Sequence, residues 1–274
     1  MKKRIALILA LLMLLMAAGC QSAGEIPGQA GNDDNGGEVY GEEPEVTGEK
    51  AEDTGEVPVT QDAVAYEIVE QDNSIRNDNG DILAKVTYEQ VVLLGDAPAY
   101  AAINALIEQD CMDYLANSGA YYMTAEELQS MIDLNGMGYG SLYDSVYATV
   151  IHNADGILSI RLSVDWFMGG VHNTNHYGVT YDLRTGGVAN VEDLLQMSEE
   201  EALDTLSALA YFGLKDYYGD ALFGDPMDVL SGYTLDDYTY YVENGELVLT
   251  FDTYEFAAGA AGAAIIHTGL MIGE

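Results

Sequence analysis

Two runs of alternating apolar and polar residues, separated by a pair of glycines, lie within residues 158–195. The first run covers 160–165, and the second begins at Tyr177. Alternation with a period of two is typical of a half-buried β-strand. Gly169 and Gly170 permit backbone angles that other residues avoid, so they predict a bend that joins the two strands. The stretch therefore predicts a strand, a bend and a second strand, with polar side chains gathered near the bend.

Signals on both sides of this stretch extend it into an α+β fold. We expect a mostly antiparallel sheet with helices packed on it, in two intimately associated subdomains at residues 63–155 and 156–274. Asparagine-glycine pairs are typical of tight hairpins, and apolar residues at helical spacing indicate a helix. These patterns predict hairpin turns at Asn79-Gly80 and Asn244-Gly245, a helix over 97–117 and a final strand over 263–272.

Two capping boxes mark the beginnings of further helices. Thr124 with Glu127 and Ser198 with Glu201 have the spacing at which the two side chains bond each other's backbone N–H groups. The second helix should carry an apolar stripe that faces the sheet. The residues of that stripe are Ala202, Leu203, Leu206, Leu209 and Phe212.

The beginning of the chain has the layout of a bacterial lipoprotein signal. A basic segment at residues 2–4 precedes an apolar run at 5–16 and the small residues 17–19, directly before Cys20. We expect residues 1–19 to be a signal peptide, and Cys20 to be diacylated, for example with palmitate. The apolar run is shorter than the ~20 residues that a transmembrane helix needs. The alternative is an ordinary secretory signal followed by an incidental cysteine.

Residues 20–62 differ in composition from the rest of the chain. After Cys20 they are rich in Gly, Glu, Asp, Asn and Thr and contain almost no large apolar residue. Such a segment buries too little apolar surface to offset the entropy of ordering it. We expect it to be a disordered acidic tether that holds a folded domain at the extracytoplasmic face of the cell membrane.

The charge of the chain restricts its partners. The 46 Asp and Glu residues against nine Lys and Arg residues give a net charge of −37. Residues 63–274 contain 34 acids and five of those cations. Phosphate binding needs a basic surface, so nucleic acid is excluded, and membrane contact should occur through the lipid anchor only. An acidic surface favours a basic protein by electrostatic steering, although solubility alone is the simpler explanation.

Few residues suggest catalytic or metal chemistry. His172 and His176 have the spacing of a helical zinc pair, but the glycines before them and the alternation after them argue against a helix. Structural histidines are the simpler interpretation, and we expect no metal and no cofactor. Cys111 lies on the apolar face of the predicted helix over 97–117, which favours a buried, inert thiol over a nucleophile.

The stretch 158–195 resembles the extracytoplasmic domain shared by RsiV-like anti-sigma factors, which sense lysozyme, and by PdaC-like peptidoglycan deacetylases. That family has a glycine pair before a histidine, then an Asp-Leu-x-Thr-Gly turn and an acidic leucine-rich segment. The matching residues are Gly169, Gly170, His172, Asp182, Leu183, Thr185, Gly186, Glu192, Asp193 and Leu194. A second block, YEFAAGAAG, matches at Tyr254, Glu255, Ala257, Ala260, Ala261 and Gly262, and departs at Ala258 and Gly259, where the family has Pro-Tyr.

The resemblance implies a non-catalytic binding domain on a cell-surface lipoprotein. Its partner would be a lysozyme-like basic protein or peptidoglycan, the cell-wall glycan. The alternative is a cell-wall hydrolase or deacetylase with an unrecognised site. The residues implied as binding contacts are Gly169, Gly170, His172, His176, Tyr254 and Glu255.

Overall fold

The computed structural model of this chain describes residues 63–273. The predicted signal peptide, Cys20 and the acidic segment up to residue 62 lie outside the described residues. The described part contains helices and two sheets, and the larger sheet is mostly antiparallel. The α+β fold expected from the sequence is therefore confirmed.

Seven strands form the larger sheet. They are β1 (Tyr66–Asp72), β2 (Ile75–Arg76), β3 (Ile82–Leu93), β4 (Leu142–Ala154), β5 (Ile157–Phe167), β6 (Asn173–Asp182) and β7 (Gly187–Val188). Their order is β1-β3-β4-β5-β6-β7, with β2 also paired to β3. All neighbours are antiparallel except β3 and β4, which run parallel. The expected boundary at residue 155 lies in the turn between β4 and β5, so this sheet runs across both predicted subdomains.

A helical segment connects the parallel strands β3 and β4. It contains α1 (Pro98–Asn117), a 3-10 turn (Gly119–Tyr122) and α2 (Ala125–Asn135). Parallel neighbours need a crossover of this kind because both strands must be entered from the same edge of the sheet. The helix α2 begins with the predicted capping box, in which the Thr124 side chain accepts from the Glu127 backbone N–H.

The helix α1 packs against one face of the larger sheet, which we call the covered face. Its residues Ile103 and Ile107 form an apolar cluster with Leu158 and Ile160 of β5. Cys111 lies further along the same side of α1 and is buried, as expected from the sequence. Burial raises the pKa of its thiol to about 11.

We expect Cys111 to resist alkylation in the native protein. A thiolate is the reactive form of cysteine, and a buried thiol with a raised pKa rarely forms it near neutral pH. Iodoacetamide at pH 8 should leave the peptide that contains Cys111 unmodified, and the same treatment in denaturant should modify it. Peptide mass spectrometry measures both. Rapid labelling of the native protein would contradict the buried position.

Asp144 ties the end of α1 to the covered face. Its carboxylate accepts hydrogen bonds from the Tyr114 hydroxyl and from the Gly119 backbone N–H, the latter at 2.9 Å. Asp144 is buried, and burial raises the pKa of its carboxyl group even though these hydrogen bonds act in the opposite direction. The side chain therefore joins β4, α1 and the 3-10 turn at one point.

Two asparagine side chains hold backbone segments at the end of the covered face where β4 ends and α1 begins. The Asn153 amide accepts from the Val64 N–H at 2.9 Å and donates to the Val64 carbonyl at 2.8 Å. Asn104 bonds the backbone of Leu93 in the same way, at 2.8 and 2.9 Å. The chain before β1 and the end of β3 are thus fixed by side chains from β4 and α1.

A three-stranded antiparallel sheet, with three helices before it in the chain, completes the fold. Its elements are α3 (Val191–Leu195), α4 (Glu199–Tyr218), α5 (Met227–Leu230), β8 (Thr239–Glu243), β9 (Glu246–Phe251) and β10 (Ala264–Met271). The strand order is β10-β9-β8. The hairpin at Asn244-Gly245 and the final strand were both expected from the sequence.

The helix α4 buries a stripe that differs in part from the predicted one. Its buried residues are Ala202, Leu206, Ala210, Leu214 and Tyr218. Phe212 is 68% exposed, so its assignment to the stripe is wrong. Phe212 lies two positions from Ala210, or about 200° around an α-helix, so it points away from the buried stripe. Where α4 approaches β10 closely, a Cβ atom on Gly213 would come within 2.4 Å of the Ile266 side chain. Glycine is therefore favoured at this point of closest approach.

The two sheets contact each other where β8 packs across β5 and β6. At Gly178 of β6, a Cβ atom would lie 2.1 Å from the Tyr240 carbonyl oxygen and 2.7 Å from the Tyr241 Cβ. Beside this contact, the Ser159 hydroxyl accepts from the Val242 backbone N–H at 2.8 Å. A residue without a side chain is needed at this crossing.

Candidate functional site

The glycine pair lies in the bend between β5 and β6, as predicted. Gly169 has φ +83°, and a Cβ atom there would come 2.7 Å from the Met131 sulfur of α2. Glycine is therefore required both by the backbone angle and by the packing of α2. Gly170 faces open space. The bend positions His172, whereas His176 lies within β6.

His172 is held by a carboxylate from the preceding strand. Its Nε2 forms a hydrogen bond with Asp165 Oδ1, and Thr174 donates to the same oxygen at 2.8 Å. The imidazole side chain is 54% exposed, so it is available to a partner. Its ring centroid lies 6.1 Å from that of Tyr143. The sequence pattern does not single out Asp165, although its place in the alternating run puts it on the same face as Thr174.

His176 lies in a different environment from His172. Its Nδ1 is 3.2 Å from the hydroxyl of Ser163, its cross-strand neighbour. Burial, and then the positive charge of Arg161, lower the pKa of His176 below its ordinary value of 6.5. The side chain is therefore neutral at neutral pH. The two histidines therefore have separate hydrogen-bond partners.

The second sequence block forms the loop after β9. Glu255 accepts from the Asp252 backbone N–H at 2.9 Å and from the Tyr233 hydroxyl, so it braces this loop. Tyr254 has φ +72°, and its ring lies against Gly259. A Cβ atom on Gly259 would fall 2.2 Å from the Tyr254 ring. Both implied contact residues thus shape the loop.

Thr253 joins the two blocks in space. Its backbone N–H donates to the Asn175 side chain at 3.0 Å, and its hydroxyl donates to the Thr174 carbonyl at 3.4 Å. An open cleft of about 330 Å³ lies at this junction. Its lining residues are His172, Asn173, Thr174, His176, Thr253, Gly259, Ala260, Ala261, Gly262 and Ala263. Of the implied contacts, His172 and His176 line the cleft, whereas Gly169, Gly170, Tyr254 and Glu255 do not.

The chemistry of this cleft is that of a polar binding surface. Its lining includes imidazole, amide and hydroxyl side chains together with a glycine-rich turn. In residues 63–273, no group of three or more His, Cys, Asp or Glu side chains is arranged to hold a metal ion. Within the same range, no helix is long and apolar enough to cross a membrane.

Comparison with solved structures identifies a fold that this chain shares. No protein-family model matches the sequence, and no curated protein matches it. A crystal structure of a DUF3298 family member from Bacteroides fragilis covers 77% of this chain and 94% of its own, with 14% identity and a TM-score of 0.51. The two proteins share a fold.

A second DUF3298 family protein, from Pseudomonas aeruginosa, covers 77% of this chain and 95% of its own. Its identity to this chain is 16% and its TM-score is 0.46. The structural neighbours of the chain thus include DUF3298 family proteins from two bacteria.

Proposed function

We propose that this protein is a lipid-anchored, extracytoplasmic binding protein that recognises a basic, lysozyme-like protein without catalysing a reaction. One observation carries the proposal: the two sequence blocks that resemble the RsiV-like domain meet at a single cleft. His172 and His176 come from the first block, and the turn at Gly259–Ala261 comes from the second. Segments far apart in the chain that converge on one open cleft are typical of a binding site.

Charge supports a basic partner. Residues 63–274 carry 34 acids and five cations. An excess of this size steers a basic protein toward the surface and raises the rate of association. The cleft adds no opposing positive charge through His176, because burial and Arg161 keep that imidazole neutral at neutral pH. The half-exposed His172 is then the cleft side chain best placed for a direct contact.

We expect the full-length protein, purified in detergent, to bind a C-type lysozyme in calorimetric titration at low and at physiological salt. Replacing His172 by alanine should weaken binding at least tenfold, a loss of about 1.4 kcal/mol, as at a contact residue of an interface. His267→Ala is a matched control, since His267 is 58% exposed and its Nδ1 lies 3.3 Å from Glu246 Oε2. It should bind as the unchanged protein does.

The salt dependence of binding and the His267→Ala control distinguish a specific site from general charge attraction. Binding through specific contacts should survive physiological salt, whereas attraction between exposed charges is largely screened there. Binding that disappears at physiological salt, or that His172→Ala and His267→Ala weaken equally, would refute the cleft as the site. The absence of binding at low salt would refute the proposed partner, and turnover of cell-wall substrates would be tested next.

A further inference from the structure

The face of the larger sheet opposite α1 is polar, and we call its central part the open face. It is defined by Tyr143, Ser145 and Tyr147 of β4, Ser163 and Asp165 of β5, and His176 of β6. Tyr147 pairs with Ser163, and Ser163 with His176, so the three side chains lie in one row. Ser145 and Asp165 pair in the row beside it.

Solvent reaches the tyrosine and carboxylate side chains of the open face, whereas Ser145 beneath them is buried. Tyr147 is 41% exposed although β4 has neighbours on both sides in the sheet. The Asp165 side chain is 26% exposed although it lies on the next strand. The β8 strand covers only the adjoining part of the face, where the Arg161 guanidinium lies 6.0 Å from the Tyr241 ring centroid. The open face is therefore a surface on regular, rigid strands.

The groups on this face match the chemistry of a sugar. Two tyrosines flank Ser145, whose hydroxyl accepts from the buried Thr87 hydroxyl at 3.0 Å and forms a floor between them. Asp165 pairs with Ser145, which lies between the two tyrosines along this face of β4, so these side chains are close together. Tyrosine rings provide flat apolar area with a polar edge, and hydroxyl and carboxylate groups provide hydrogen bonds at fixed positions. A pyranose ring presents both kinds of surface.

The charge balance of this face indicates an uncharged ligand. By strand alternation, the charged side chains that β3 to β6 place on it are Lys85, Arg161, Asp165 and Asp182. These are two cations and two acids, whereas residues 63–274 carry 34 acids and five cations. The Glu89 carboxylate does not belong to this set, because it accepts from the Ala148 N–H at 2.9 Å and lines a small pocket with Ile107 of α1. A locally neutral face on a strongly acidic protein does not select for a charged partner.

We propose that the open face binds an uncharged glycan strand, at a surface centred on Tyr147 that adjoins the cleft proposed for a basic protein at His176. The inference rests on the proposed function in one respect only, the extracytoplasmic location where the protein would encounter a glycan. Tyr147 and the cleft residue His176 lie two strands apart, or about 10 Å at the usual strand spacing. The two surfaces can therefore be tested separately.

The test is a calorimetric titration of the full-length protein, in a detergent without a sugar headgroup and at physiological salt. The probes are an N-acetylglucosamine hexamer, a cellulose hexamer and a galacturonic acid hexamer. We expect binding of at least one neutral hexamer and at least tenfold weaker binding of the anionic one. Tyr147→Ala should weaken the neutral interaction at least tenfold, whereas Tyr147→Phe should retain it within about threefold, because the aromatic ring carries the stacking.

Tyr122→Ala is the matched control, because Tyr122 is 52% exposed and follows α1, which packs on the covered face. It should bind the hexamers as the unchanged protein does. Tyr143→Ala is a second variant in case Tyr147→Ala fails to fold, and it should show the same loss. Failure of both neutral hexamers to bind would overturn the proposal. Equal or tighter binding of the galacturonate hexamer would overturn it as well, since that result indicates an anion site.

Measuring lysozyme binding by the same variants distinguishes a failure of this inference from a failure of the function proposed above. Tyr147→Ala should leave lysozyme affinity unchanged while glycan binding is lost. A parallel loss of both would overturn the assignment of two surfaces. Glycan binding that persists in Tyr147→Ala would overturn the open face as its site, whatever the result with lysozyme.

Discussion

Replacement of Gly178 by alanine is expected to destabilise the folded domain by about 3 kcal/mol or more. The added Cβ atom would lie 2.1 Å from a backbone oxygen, that of Tyr240, which cannot move aside as a flexible side chain can. The two sheets would have to separate at their crossing. This cost should exceed the usual gain in stability when a glycine within a strand is replaced by alanine.

Urea unfolding measures this effect, with the fluorescence of the single tryptophan, Trp166, as the signal. Gly170→Ala is the matched control, because a Cβ atom at Gly170 would meet nothing within 4 Å. It should change the free energy of unfolding by no more than about 0.5 kcal/mol. Equal stability of the Gly178→Ala and unchanged proteins would show that β6 and β8 are further apart than described.

Replacement of Asp144 by alanine is expected to cost about 2–4 kcal/mol. The change leaves two hydrogen-bond donors without their acceptor, the Tyr114 hydroxyl and the Gly119 N–H. Asp144 and its surroundings are buried, so water cannot replace the carboxylate freely. Asp204→Ala on the exposed side of α4 is the control, and its effect should be within about 0.5 kcal/mol. A loss for Asp144→Ala as small as that of the control would contradict the described contact.

The Asp144 carboxyl group should make the free energy of unfolding depend on pH, and its raised pKa gives the direction of that dependence. Its pKa is raised in the folded protein from a reference value of 3.8, so folding favours the protonated form. The stability that this group contributes is fully present below pH 3.8 and declines as the pH rises through its folded pKa. The stability difference between the unchanged protein and Asp144→Asn should therefore be larger near pH 3.5 than at pH 7. A difference that grows with pH would show that the folded pKa is depressed.

Local features of the fold are predictable from the sequence because each depends on neighbouring residues. The Thr124 and Ser198 capping boxes, the Asn244-Gly245 hairpin and the bend at Gly169 all occur where local patterns predict them. The parallel pairing of β3 with β4 has no such local signal. It is determined by how α1 and α2 pack across the sheet, which alternation within a single strand does not encode.

The assignment of Phe212 to the buried stripe is wrong, and the sequence pattern does not single out Gly178. Phe212 is large and apolar, yet it is 68% exposed because it lies about 200° around the helix from Ala210. Ala210 and Gly213 face the sheet where β10 approaches closely. Gly178 gives no sign in the sequence that β8 will cross it. Close approach of distant segments favours small residues, which a search for large apolar residues overlooks.

The candidate site was predictable as two separate blocks and not as one cleft. The bend and His172 follow from the glycine pair, and the second block follows from the resemblance to the RsiV-like domain. Their meeting depends on Thr253, whose N–H bonds the Asn175 side chain across a long interval of chain. Asp165 acquires its role only when the strand register places it beside Thr174. Pairing of this kind is set by the tertiary structure.

The asparagine contact at Val64 has a consequence for mechanical load. If the preceding segment is anchored, a pull on the domain enters the fold at Val64, ahead of the edge strand β1. The Asn153 amide holds both backbone groups of Val64, and Asn153 lies in β4, an interior strand. Tension should therefore pass directly into the middle of the sheet before it can peel β1 from β3. Asn153→Ala should lower the force at which the domain first yields when it is stretched from that end.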